Sequence, residues 1–267
     1  GGIVQLVATG AQDAWLTGKP EVSFFRSNYR RYTHFASSVE RQIIQGMPAA
    51  GGMSTVRFEK KGDLLSYVYF TAVDNAGAQS PIVDWSKVFN KIELLIGGQV
   101  IDTQDFTYST TIEPVTGSQT YNQRSLSTNT GNYLYPTNGF GAFYPLKFFF
   151  CKDWSVALPL VALQFHDVEL RITWSDTMAG NSIGQGTNYS DLQYQCWTNF
   201  VNLDQAERDY FAKNSHDLLI TQVQRTLVQG GSGTTMQELA LAQPVKFLAF
   251  SVVDYPTAYG SAGGTAA

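Results

Sequence analysis

Few residues in this sequence have the chemical types and the spacing that catalysis or metal binding requires. The three histidines, His34, His166 and His216, lie far apart in the chain, each in a different segment. Of these, His166 stands beside two acidic residues, Asp167 and Glu169. Side chains alternate between the faces of a strand, so a strand here would put His166 on the face opposite both carboxylates. We therefore expect a structural strand with a polar face and no metal site.

The sequence motifs of the common enzyme classes are also missing. There is no G-x-S-x-G nucleophile elbow, no H-E-x-x-H and no G-x-x-x-x-G-K-[ST] in the chain. The stretch "GGSGTT" at residues 230–235 lacks the lysine of a phosphate loop and is not followed by a helix pattern, so a glycine-rich turn explains it better. No pair of carboxylates stands out as a glycoside-hydrolysing pair. We predict no catalytic, cofactor-binding or metal-binding residue, and hence a protein that is not an enzyme.

The two cysteines do not suggest redox chemistry or a disulfide framework. Cys151 and Cys196 both lie in apolar, strand-like contexts, "FFFCKDW" and "YQCWTN". We interpret them as buried thiols that act as small hydrophobic side chains. This usage is typical of a protein made in a reducing cytosol.

A basic and aromatic cluster near the start could bind phosphate or nucleic acid. Arg26, Arg30 and Arg31 alternate with Tyr29 and Tyr32. However, the whole chain has 18 basic against 22 acidic residues and a net charge of −4, which argues against a protein that coats nucleic acid. We prefer a solvated or inter-subunit face for this cluster and predict no direct contact with nucleic acid.

One glycosylation sequon is present, and its signal is weak. Asn188 begins the triplet Asn-Tyr-Ser within a polar stretch, so it is a candidate glycan acceptor if the protein meets that machinery.

The elements that would position these residues are mostly strands. The chain has 267 residues, 43% of them hydrophobic and 15% charged, which favours a large folded core. No apolar run approaches the roughly 20 residues of a membrane span. Short β-branched and aromatic or alternating runs predict six strand segments: residues 37–46, 54–62, 64–73, 91–102, 168–174 and 194–203. Within "KIELLIGGQVID", Gly97 and Gly98 predict a two-residue hairpin turn.

Helices are predicted to be few, and the connections long. Residues 203–214 are the best helix, because Asp204 can cap its start. A second candidate covers residues 105–115. Polar, glycine-dotted stretches at residues 116–141 and 175–190 predict long loops at one rim. Together these features predict an all-β, jelly-roll β-sandwich.

The run "FFF" and the strands after it predict the centre of the core. If the run is a strand, the ring of Phe149 should face away from those of Phe148 and Phe150. The predicted core members share an apolar side chain in a strand-like context: Phe148, Phe149, Phe150, Leu158, Leu160, Leu163, Val168, Leu170 and Ile172.

Five collinear stretches between residue 1 and about residue 260 resemble the double jelly-roll major capsid proteins of nucleocytoplasmic large DNA viruses. The stretches are "QLVATGAQDAWLTGKPEVSFFRSNYRRYTHFA", "KIELLIGGQVID", "YPLKFFF…ALPLVALQFHDVEL", "LDQAERDYFAKNSHDLLITQVQ" and "PVKFLAFSVVDYPTAYG". The family has two consecutive jelly rolls per chain. The resemblance therefore implies an N-terminal arm and first strand in residues 1–36 and a first jelly roll in residues 37–216. Residues 217–267, with three further strand patterns, would open a second jelly roll, so we expect the gene product to be longer than this chain.

The same resemblance implies a structural role without catalysis. In the family, three subunits form a capsomer of pseudo-sixfold outline, and capsomers tile an icosahedral shell over an internal membrane. The implied partners are the chain itself as a homotrimer, neighbouring capsomers and minor capsid proteins, with an indirect contact to the membrane. The implied location is the virion shell, after synthesis in the host cytoplasm.

Two other functions remain open at this point. Aromatic-rich β-sandwiches often carry lectin activity, so a carbohydrate- or receptor-binding jelly roll is the first alternative. A cupin-like enzyme is the second, but it would need a His/Glu metal cluster that three scattered histidines do not supply.

The opening arm is the predicted assembly interface. Its apolar residues are too many to leave in water, while Gly10, Gly18 and Pro20 divide it into pieces too short to fold alone. We expect residues 1–20 to lie against another subunit or shell component, whereas residues 21–26 suit a barrel strand equally well. The candidate interface residues are Ile3, Leu6, Trp15, Leu16, Arg26, Arg30 and Arg31.

Overall fold

The computed structural model describes residues 2–8, 10–27, 29–73, 83–106, 108, 112, 140–141, 143–179, 188–226, 236 and 238–250. It divides into two units, Gly1–His34 and Phe35–Ala267. The first unit contains two short helices, α1 (Gly2–Val7) and α2 (Ala11–Thr17). The described residues of 21–27 form no strand, so the first strand predicted in this arm begins only at Phe35. The side chains of residues 21–27 are exposed, and a strand needs a paired neighbour to be stable.

The second unit is built on two antiparallel five-stranded sheets. The first sheet has the order β1-β12-β4-β10, and β9 also pairs with β4. Its strands are β1 (Phe35–Gln42), β4 (Leu64–Val73), β9 (Phe143–Pro145), β10 (Leu158–Pro159) and β12 (Gln193–Leu203). The second sheet has the order β2-β3-β11-β6-β7. Its strands are β2 (Ile44–Gln45), β3 (Met53–Arg57), β6 (Phe89–Ile96), β7 (Gln99–Asp105) and β11 (Val168–Trp174).

The chain passes back and forth between these two sheets, which is the topology of a jelly roll. A separate pair, β5 (Val83–Asp84) with β8 (Phe140–Gly141), completes the described strands. The predicted all-β jelly-roll sandwich is therefore confirmed, and β4 and β11 have the bounds that the sequence predicts.

The core lies between the sheets because each strand turns its apolar side chains inward. In β11 buried and half-buried residues alternate strictly, from Val168 to Trp174. Rings of the first sheet meet rings of the second: the centroids of Phe70 and Phe89 lie 5.1 Å apart, as do those of Trp174 and Tyr194. Eight of the nine predicted core residues are buried, and Leu163 is half-buried against them.

The predicted orientation of the three phenylalanines is wrong. Residues Phe149–Cys151 form a turn of 3-10 helix instead of a strand, and all three rings are buried. The rings of Phe148 and Phe150 are stacked at 6.2 Å, and the ring of Phe149 meets that of Phe150 edge-on at 5.4 Å. A helical turn fans the side chains around its axis, so strand alternation does not apply.

The predicted hairpin and the predicted helix are both confirmed. Gly97 and Gly98 connect β6 to β7 with φ values of 60° and 81°, the positive values that such a turn requires. The helix α3 (Gln205–Lys213) begins after Asp204, whose carboxylate accepts the Gln205 N–H at 2.8 Å. None of the helices in the described residues is long and apolar enough to span a membrane.

Residues beyond α3 differ from the strand prediction. The described residues of 215–226 and 238–250 form no strand. A strand requires a partner ladder, and these residues meet none in the described part of the chain. The assignment of residues 217–267 to a second jelly roll remains a prediction, as do the bounds 1–36 and 37–216. Most of the predicted helix at 105–115, most of the predicted loop at 116–141, residues 180–187 and the "GGSGTT" turn lie outside the described residues.

Candidate assembly surfaces

The two helices of the arm present apolar side chains to solvent. Ile3 and Leu6 lie on α1 and are 80% and 82% exposed, while Trp15 and Leu16 lie on α2 and are 92% and 82% exposed. Gly10 N–H donates to the Asp13 carboxylate at 2.9 Å and so caps the start of α2. These exposed apolar side chains fit the predicted assembly interface, which remains a prediction.

The three candidate arginines follow on the same arm. Arg26, Arg30 and Arg31 are exposed and lie outside helices and strands, beside the exposed rings of Phe25 and Tyr32. Residues 1–34 hold four basic and two acidic side chains, a charge of +2, whereas the remaining 14 basic and 20 acidic residues give −6. The arm and the rest of the chain therefore carry net charges of opposite sign.

A buried carboxylate connects α3 to the first sheet. Asp63, just before β4, is 3% exposed, and its two oxygens accept the Leu203 N–H at 2.8 Å and the Arg208 Nε–H at 2.7 Å. Its own N–H donates to the Val201 carbonyl at 3.0 Å. These contacts fix the end of β12 and the start of α3, with Phe211 packed on a small apolar cluster at the same place.

The outer face of the first sheet carries half-buried aromatic side chains. Trp197 pairs with Tyr69 across β12 and β4, and its indole N–H donates to Thr71 Oγ1 at 3.0 Å. The ring of Tyr69 meets that of Phe143 edge-on at 6.0 Å, and Tyr67 lies 5.8 Å from Tyr69. The outer face of the first sheet is therefore covered by half-buried rings that also carry polar groups.

The outer face of the second sheet is charged instead. Glu93 on β6 accepts from Arg171 Nε at 2.8 Å and from Lys91 Nζ at 3.2 Å. Burial by itself would raise the pKa of Glu93, but hydrogen bonds from Arg171 and Lys91 outweigh it and hold that pKa below its usual value. The Arg57 guanidinium pairs with Asp167 at 2.5 Å on the same sheet. These ion pairs have a structural role, and their charges keep the outer face of the second sheet hydrated.

The candidate chemical residues are not gathered into a site. His166 precedes β11 and is exposed, so the strand alternation predicted for it begins only at Val168. His216 contacts the Phe211 carbonyl at 2.9 Å through Nε2, and His34 belongs to the arm. Among the described residues there is no cluster of three or more histidine, cysteine or acidic residues that could hold a metal ion.

The prediction of buried thiols is confirmed for Cys196, while Cys151 is only partly buried against the core. Cys196 is buried and Cys151 is half-buried, and both thiols are free. Burial raises the pKa of Cys151 to about 12, so its reactive thiolate is scarce at neutral pH.

The sequon lies at the start of a short 3-10 turn. Asn188 is half-buried, its N–H donates to the Asp191 carboxylate at 3.3 Å, and the next residue, Tyr189, is buried. Asn188 remains a predicted acceptor.

Sequence reasoning missed two sets of contacts. The Asp63–Arg208 contact has no local sequence signal, because the two residues are 145 positions apart. The contacts of residues 220–225 with β7 have no local sequence signal, because side chains over 100 residues apart make them.

Comparisons with known proteins agree with the fold. A family model described as "Major capsid protein N-terminus" matches residues 23–204. The chain is 32% identical to the major capsid protein of Pyramimonas orientalis virus over 98% of this chain and 69% of that one. It is 33% identical to the major capsid protein of Paramecium bursaria Chlorella virus 1 over 94% of this chain and 60% of that one.

A solved structure is similar as well. The quasi-atomic model of the PBCV-1 virus capsid superposes with a TM-score of 0.57 and 28% identity, covering 75% of this chain and 50% of that one. The chain therefore spans about half to two thirds of the length of the relatives it matches.

Proposed function

This chain belongs to the major capsid protein family of nucleocytoplasmic large DNA viruses, and from that premise we propose that it assembles into trimeric capsomers of pseudo-hexameric outline that form an icosahedral virion shell. The proposal rests on one observation: the residues that match the family model are the residues that fold into the sandwich. The match covers residues 23–204, and the jelly-roll strands run from Phe35 to Leu203. Its relatives are structural proteins by name.

The exposed arm supplies a means of association. Four exposed apolar side chains and three exposed arginines lie within 31 residues, and the rest of the chain has the opposite charge. We infer that the arm contacts neighbouring subunits, neighbouring capsomers or minor capsid proteins. An indirect contact with an internal membrane, and synthesis in the host cytoplasm, belong to the same proposal.

Light scattering on the purified full chain tests the proposal. We expect a species with three times the mass of the chain that persists on dilution. A monomer that binds glycans on an array would favour the carbohydrate-binding alternative and contradict the capsomer.

A further inference from the structure

The segment that follows α3 lies along the outer edge of the second sheet. That edge is β7, the last strand in the order β2-β3-β11-β6-β7. Residues 220–225, which we call the edge strap, contact β7 in step with it: Gln222 meets Ile101, Val223 meets Asp102 and Arg225 meets Asp105. The numbering rises along both segments, so the edge strap runs parallel to β7.

Each of these contacts between the edge strap and β7 involves a side chain, whereas neighbouring strands of a sheet are joined by backbone hydrogen bonds. The Gln222 amide donates to the Ile101 carbonyl, the Val223 N–H donates to Asp102 Oδ1 at 2.9 Å, and Arg225 forms an ion pair with Asp105. Ile101 is the extra residue of a β-bulge, since Leu94 pairs with Asp102 and Leu95 with Val100. The carbonyl of this bulged residue is the group that accepts the hydrogen bond from Gln222.

The edge strap is also attached to the core. Ile220 is half-buried against the apolar cluster between the sheets, and Lys152 Nζ donates to Thr221 Oγ1 at 3.4 Å. Beneath the strap, the side chains of Asp102 and Gln104 point inward opposite Leu94 and Ile92, and the Gln104 amide donates to Asp102 at 2.8 Å. The edge strap therefore covers the polar side chains of Asp102 and Gln104 at the edge of an otherwise apolar core.

Besides the edge strap, β7 carries two features that discourage pairing, the bulge at Ile101 and the inward-pointing carboxylate of Asp102. Exposed edge strands invite pairing with another chain, and natural proteins block them with charged side chains, proline or a covering segment. At the opposite side of the sandwich, β1 carries Glu40 and Arg41. β7 contains no lysine, arginine or proline, and both of its carboxylates contact the edge strap.

We propose that the edge strap guards β7 against edge-to-edge pairing with a second copy of the chain. This role is separate from shell formation, because it keeps subunits from associating through the wrong surface before they assemble. Releasing the strap would uncover the Ile101 carbonyl and the rest of the strand edge to another β7.

The test is a double variant, Gln222→Ala with Arg225→Ala, compared with Gln205→Ala and Lys213→Ala. The control pair also removes one amide and one cation, both of which contact the Asp209 carboxylate on α3, at 2.8 and 3.1 Å. We expect hydrogen exchange at Val223 and along β7 to become about tenfold faster in the strap variant, with β6 and β11 unchanged. Sedimentation velocity should then show species larger than the wild-type assembly that grow with concentration, and the control should not.

Two results would overturn the proposal: unchanged exchange at Val223, or faster exchange without extra association. If the double variant does not fold, Val223→Pro removes the N–H donated to Asp102 without altering any strand. Proline has no amide hydrogen, so the fallback variant is followed by exchange along β7 and by sedimentation velocity. Failure here leaves the capsomer proposal untouched, because light scattering on the wild type decides that separately.

Discussion

Among single residues, Asp63 holds together the end of β12, the start of α3 and the approach to β4. Its side chain is 4% exposed, whereas the side chain of Arg208 is 51% exposed, so water screens their ion pair in part. We expect Arg208→Ala to lower the free energy of unfolding by about 1–2 kcal/mol, because it removes a charged hydrogen bond from a buried carboxylate. Thermal unfolding followed by tryptophan fluorescence measures the loss.

Lys213→Ala is the matched control for this change. Lys213 lies on the same helix in an exposed pair with Asp209, and such pairs contribute roughly 0.2–1 kcal/mol. Equal effects of the two variants would show that Asp63 does not depend on Arg208.

Asp102 gives a pH-dependent prediction at the same scale. Burial raises its pKa, although hydrogen bonds from Val223, Gln104 and Thr103 and the charge of Lys152 oppose the rise. A raised carboxyl pKa contributes stability at acid pH that is lost as pH rises through the folded-state value. Asp102→Asn removes the charge and keeps an oxygen for the Val223 N–H, so its melting temperature should equal or exceed that of the wild type at pH 7.

That advantage should shrink as the pH approaches 3, where Asp102 is protonated in the wild type as well. Asp209→Asn on α3 controls for the change in net charge. A melting temperature for Asp102→Asn that falls below the wild type by the same amount at pH 7 and pH 3 would contradict the raised pKa.

At the scale of elements, residues Phe149–Cys151 allow a test between two conformations of an aromatic run, a strand and a 3-10 turn. In a strand, Phe149 would face outward and tolerate alanine. In the 3-10 turn its ring is 6% exposed, so Phe149→Ala should cost about 3–5 kcal/mol, as burial loss plus a cavity. Chemical denaturation compares it with Phe165→Ala, whose ring is 94% exposed and whose loss should stay within about 0.5 kcal/mol. Equal, small effects would restore the strand interpretation.

The elements also show what the sequence could and could not predict. Strands β4 and β11 were predictable because their burial alternates with a period of two, and the β6–β7 hairpin because two glycines supply its turn. The turn at Phe149–Cys151 was not, since an apolar run has no period that distinguishes strand from helix. Residues 218–226 have the sequence pattern of a strand, yet they contact β7 through side chains instead of a backbone ladder. Only the tertiary structure determines that difference.

The candidate site was predictable in type more than in detail. The sequence predicts that apolar and basic side chains of the arm are exposed. The arm has too many apolar residues to leave in water, and its glycines and proline divide it into pieces too short to fold alone. The Asp63–Arg208 contact and the edge strap join residues more than 100 positions apart, and no local pattern reports such pairs.

At the scale of the whole molecule, the arm and the sandwich are separate units, which predicts separate effects of deletion. Removing residues 1–20 should leave the far-ultraviolet circular dichroism and the melting temperature near those of the full chain, because none of the described residues among them is buried. Shell assembly, followed by turbidity and electron microscopy, should be impaired. Loss of the folded subunit would show that the arm belongs to the core.

A substitution pair refines that test. Trp15→Ser in the arm removes a 92% exposed ring and should weaken assembly, whereas Phe165→Ser removes a 94% exposed ring from the sandwich and should not. If both variants assemble like the wild type, the arm is not the interface.

The central claim is that copies of this protein form a capsomer, and electron microscopy of the purified full-length gene product with image averaging tests it most directly. The account predicts particles that contain three chains and have a hexagonal outline, because two similar barrels in each full-length subunit would place six around a threefold axis. Averaged particles that contain a single chain, at concentrations where the protein is folded, would contradict it.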